Sequence, residues 1–117
     1  MTLSNDNYNE AVNTVSSASG TVTVDLEAAN LHIIDTVDNI TIDVTNFSSD
    51  PAGNSLLLHI ADDDGAGPYT ISWPSGTEWP GGNISDTVEQ NGNIEIGIYS
   101  PDGGTTLRAA ARGSNFQ

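Results

Sequence analysis

Three groups of side chains in this 117-residue sequence have types and spacing suited to chemistry. The first is Asp62-Asp63-Asp64, immediately before Gly65. Ca²⁺ takes about six to eight oxygen ligands, and Mg²⁺ also prefers oxygen, so carboxylates on a Gly-rich turn can begin such a shell. The position where an EF-hand would place its closing acid is Trp73. The expectation is therefore either a Ca²⁺ or Mg²⁺ site on Asp62, Asp63 and Asp64 or a solvated acidic turn. The second group is His32 and His59, each beside apolar residues. On paired strands they would start a metal site, which needs further converging ligands; otherwise both face solvent or a subunit contact. The third is Trp73 and Trp79, each followed by proline. They can stack on each other and cap a core, or stack on a sugar ring or a neighbouring subunit.

Other chemistries find little footing. No G-x-S-x-G elbow, P-loop or G-x-G-x-x-G occurs. Acid pairs such as Glu78 with Asp86, or Glu89 with Glu95, do not by themselves make a glycosidase dyad. There is no cysteine, so disulfides, thiolate metal sites and Cys nucleophiles are excluded. The sequence predicts a protein that is not an enzyme, with no cofactor beyond the cation considered above.

The elements that must position these residues read as strands. Val22, Val24 and Leu26 alternate with polar residues, as do Ile40, Ile42 and Val44, and later Ile94, Ile96 and Ile98. Leu31–Ile34, Leu56–Ile60, Tyr69–Trp73 and Thr105–Ala111 complete the set. Ser48–Asn54 and Asp62–Pro68 are turn clusters, Pro101–Gly104 fits a tight hairpin, and Pro74–Asn83 is too rich in Pro and Gly for a helix. No 3.6-residue period and no internal repeat stand out. The expected fold is all-β: one jelly-roll-like β-sandwich of about seven or eight antiparallel strands over residues 19–117. Residues 1–18, rich in Asn and Ser, read as an N-terminal arm or a weak first strand. The N-terminus lacks a basic and apolar leader pattern, and no long apolar run occurs, so the reading is soluble, without an export signal or membrane insertion. Three N-x-S/T sequons, at Asn39, Asn46 and Asn83, are then chance features of an Asn/Thr/Ser-rich chain.

Sixteen acids face two arginines and no lysine, for a net charge of −14. Phosphate-backbone binding depends on cations, so nucleic acid is excluded as a partner. Three explanations of the imbalance remain: adaptation to very salty water, where self-repulsion is screened; an accidental shortage of lysine; and mimicry of nucleic acid. The two cations, Arg108 and Arg112, both fall in the last strand region and are the expected partners across a subunit contact.

The stretch around the tryptophans also carries a resemblance. Thr70-Ile71-Ser72-Trp73-Pro74, Trp79-Pro80-Gly81-Gly82, Ile96 to Tyr99, Asp102-Gly103-Gly104-Thr105 and Gly113-Ser114-Asn115-Phe116 resemble a module of tailed-virus virion proteins, found in tail fibres, head fibres and decorations. The upstream strands fit too, so the likeness spans residues 20 to 117. One departure is Thr106-Leu107-Arg108, where the family commonly carries aromatics. The resemblance implies a virion structural protein with no catalytic set. Because the module here is the whole chain, it implies a homo-oligomeric capsid decoration, turret or spike subunit on the virion surface. Its partners would be itself, as trimer or pentamer, and other virion proteins such as the major capsid protein. Together with the acidic composition, this suggests an archaeal virus of a halophilic host. The alternatives are a tail-fibre module binding a host receptor or glycan through Trp73 and Trp79, and an acidic nucleic-acid-mimic inhibitor.

Overall fold

The computed structural model describes residues 11–47 and 55–115. Within them lie seven strands: β1 (Val12–Asp25), β2 (Leu31–Thr45), β3 (Ser55–Asp62), β4 (Tyr69–Ser72), β5 (Thr87–Val88), β6 (Asn93–Tyr99) and β7 (Arg108–Ser114). Among the described residues the only helical feature is a single 3-10 turn at Pro80–Gly82. The all-β class expected from the alternation is what the chain adopts.

Strand direction differs from the expectation. β1 pairs with β2 in parallel, and β2 pairs in parallel with both β3 and β4. Only β3–β6, β4–β5 and β6–β7 are antiparallel. The reason is a bend. A straight strand of 14 residues would span roughly 46 Å. The connection from Leu26 to Asn30 reaches about 18 Å at most. Yet Leu31 sits beside Val12, where β1 began. So β1 must fold back on itself, and it does so around Ser17 and Gly20, both with positive φ, where its register slips.

β2 bends likewise, because Leu31–Thr36 pairs with β3 while Ile40–Thr41 pairs with β4. The chain thus makes three successive coils: β1, then β2, then β3 with β4. The strands form one curled sheet, and each coil contributes one segment to each of its two arms, termed wall one and wall two. Wall one stacks the first halves of β1 and β2 with β3, and continues through β6 to β7. Wall two stacks the second halves with β4 and β5.

Alternation then fills the space between the walls. Ile34, Ile60 and Ile94 lie in register across wall one, as do His32, Leu58 and Ile96. Val22 with Ile42, and Ile40 with Ile71, are the buried pairs of wall two. All belong to one core, closed by Val88, Trp79, Leu107 and Ala109, except His32, which is buried with them. Each fully buried Ile or Leu contributes about 1.5–3 kcal/mol of transfer free energy.

Two expected boundaries shift. Val12–Ala18 of the N-terminal segment forms the first half of β1, with Ala18 buried; residues 1–10 lie outside the described residues. The last strand runs Arg108–Ser114, not Thr105–Ala111, because Ser100–Leu107 forms a clasped connection. In it Gly104 N donates to Ser100 Oγ at 2.7 Å, while Ser100 Oγ and Thr106 N donate to Asp102 Oδ1 at 3.1 and 2.7 Å.

Candidate functional site

The stretch from Trp73 to Asn83 forms a lid over one end of the core. Pro74 stops the β4 ladder, and Thr77 N and Oγ1 turn back to donate to Pro74 O. Glu78 then lies along the start of β7: its N donates to Leu107 O at 2.8 Å, and Ala109 N donates to its O at 2.9 Å. Trp79 enters the core beside them. The two indoles meet edge to face, with centroids 5.4 Å apart. Trp73 is half-buried and donates Nε1–H to Ser85 O at 2.8 Å. Trp79 is buried, and its Nε1 has no partner. Of the roles open to the pair in the sequence, the geometry matches the core cap.

Arg108 joins the lid to β7, with Nε 3.0 Å from Glu78 Oε1 and a longer contact to Tyr99 Oη. Those contacts, Tyr99 first and then Glu78, raise its pKa further. One of the two cations is therefore engaged within the chain. Arg112 is exposed on β7, its stem lying across β6 at Gly97. Glu78 lies thirty residues before Arg108, and no local pattern in the sequence announces that pair.

The three aspartates are held by different partners. Asp62 is buried, and its carboxylate accepts backbone N–H groups of Gly65, Gly67 and Asn91 at 2.9–3.1 Å. Burial alone would raise its pKa; the N–H groups of Asn91, Gly67 and Gly65 outweigh that and hold it below the ordinary value. Asp64 accepts from Ala66 N at 3.0 Å and from Tyr69 Oη at 2.9 and 3.0 Å. Burial and that bond push the Tyr69 phenol up to about 12. Asp63 anchors the loop through its N–H to Thr36 O at 3.0 Å. Among the described residues no group of three acids or histidines is arranged to hold a metal ion. The loop is a corner of the third coil, tied to the Glu89–Gly92 turn by Asp62.

The histidines stand on opposite faces of wall one. His32 is 1% exposed, contrary to the expectation of a solvent or subunit contact. Its Nε2 lies 3.0 Å from Ala29 O and its Nδ1 3.4 Å from Asn13 Nδ2. A neutral ring protonated on Nε2 satisfies both contacts. His59 faces outward and meets Glu95 Oε2 at 3.3 Å across the β3–β6 pair. Adjacent strands with opposite facing cannot bring the two rings together.

In comparisons with protein-family models, curated proteins and solved structures, the chain matches none of them.

Proposed function

We propose that this chain is a virion surface structural protein, a homo-oligomeric decoration, turret or spike subunit of a tailed virus from a halophilic host. The observation that carries the reading is the W-P…W-P-G-G lid. Of the residues that resemble the virion module, Trp73 and Trp79 meet edge to face and cap the core. Supporting it, the candidate chemical residues are spent on structure: Asp62 and Asp64 tie a corner, His32 fills a core row, and Arg108 clamps the lid. The lysine-free surface suits molar salt, where the Debye length falls to about 3 Å. A sugar-stacking role would need two open indole faces, and Trp79 offers none.

The test is immunogold labelling and quantitative mass spectrometry of particles purified in molar salt. The expected result is the chain in fixed ratio to the major capsid protein, with label on the outside. Its absence from washed particles would overturn the proposal.

A further inference from the structure

The two walls present unlike faces to solvent. Because buried residues alternate with outward ones, each outer face can be read from the register. On wall two the outward residues are Thr21, Thr23, Asp25, Thr41, Asp43 and Ser72. That is a hydrated face of hydroxyls and carboxylates. On wall one a single row runs in register across five strands: Val12, Leu31, Leu57, Gly97 and Ala110. Every member is uncharged and none is fully buried; Val12 is 53% exposed, and Tyr99 beside the row is 46% exposed.

The charge on this face is the second observation. Its outward strand positions carry two acids, Asp35 and Glu95, and both of the chain's cations, Arg108 and Arg112. With Glu78, which pairs with Arg108 at the edge of this face, three negatives stand against two positives, a net of −1 where the whole chain carries −14. A body at −14 meets a copy of itself most readily where carboxylates do not oppose carboxylates.

The relief along the row is the third. Val12, Leu31 and Leu57 stand up at one end, while Gly97 and Ala110 leave a hollow of about 510 Å³ at the other, bounded by Leu57, Tyr99 and Arg112. A two-fold axis parallel to the strands through Leu57 would set the raised end of one copy over the hollow of another. An isologous contact requires that kind of self-complementarity.

We infer that the outer face of wall one is the self-association surface, taking a second copy of this chain face to face. This rests on the self-associating part of the virion reading and not on the particle itself. Sheets stacked in this way sit about 10 Å apart with side chains interleaved.

Sedimentation equilibrium in molar potassium chloride tests it. Val12→Glu and Ala110→Glu each put a carboxylate into the row, and each should weaken association by at least about tenfold. Thr23→Glu adds the same charge to wall two and should leave association within about twofold. Circular dichroism and melting curves check that each variant folds; Tyr99→Ser, at an exposed position, is a second probe of the same face and should also weaken association. Equal effects on both walls, or an oligomer indifferent to Val12, Ala110 and Tyr99, would overturn the inference while leaving the virion reading intact. A monomer at every concentration would also overturn it, and the particle-labelling result would then decide the virion reading separately. Retention on particles with wild-type self-association lost only in wall-one variants would support both.

Discussion

Asp62 shows how one carboxylate can replace a stretch of regular structure. The corner between β3 and β4 has no ladder to satisfy its N–H groups. Asp62 accepts two of them, from Gly65 and Gly67, and a third from Asn91 across the molecule. In Asp62→Asn one acceptor oxygen becomes an NH₂, and whichever way the amide turns, at least one N–H faces another donor. Melting should fall by several degrees. The variant should also lose part of its acid sensitivity. Asp62, Asp25 and Asp102 all have pKa values lowered in the folded chain: Asp62 despite its burial, through its N–H donors; Asp25 chiefly by Asn46; and Asp102 chiefly by Thr106 N–H. A carboxyl depressed by folding stabilises above its unfolded pKa, and that stability drains away as pH falls through the folded value. The wild type should therefore hold its melting temperature down to about pH 4 and lose it below, with a shallower fall in Asp62→Asn. Parallel acid limbs in the two proteins would sink this account. Sequence shows where carboxylates cluster but not which N–H groups they accept.

At the scale of elements, the strands were legible and their directions were not. Ile94-Glu95-Ile96-Gly97-Ile98 announces a strand through its period of two. That period is the same whether the neighbour runs parallel or antiparallel. The five residues from Leu26 to Asn30 also look like an ordinary hairpin connection. The missing information lay inside β1, where Ser17 and Gly20 turn the chain and its register slips. Glycine carries that corner at φ +67 with open space around its α-carbon. Gly20→Ala should therefore cost only the left-handed backbone penalty, about 1 kcal/mol. Gly104 is a sharper case. Its φ is +100, and an added β-carbon would lie 2.6 Å from Phe47 Cδ2. Gly104→Ala should cost at least about 2 kcal/mol, from backbone strain plus displacement of the Phe47 ring. Urea titrations of the two variants check the order. If Gly20→Ala proves the more damaging, the coil corner is more tightly held than its open surroundings imply.

For the whole molecule, charge and fold act against each other. A net −14 on a body of 48 × 33 × 23 Å repels itself across distances comparable to the roughly 10 Å screening length of 0.1 M salt. At 1 M that length is about 3 Å, and only immediate neighbours still interact. Melting temperature should rise steeply from 0.1 to about 1 M potassium chloride and then level off. Potassium sulfate would continue upward through its separate effect on apolar burial. Lowering pH acts in two directions at once. It discharges the surface and relieves repulsion, and it protonates Asp25, Asp62 and Asp102, whose bonds need the charged form. At 0.1 M salt the two changes oppose, so the acid limb should be blunted. In molar salt repulsion is already gone, and the loss of the carboxylate bonds should appear unmasked and steeper. Thermal melts on a grid of pH and salt decide this. An acid limb steeper at low salt would mean that surface repulsion contributes little, and the acidic composition would then need a reason other than brine.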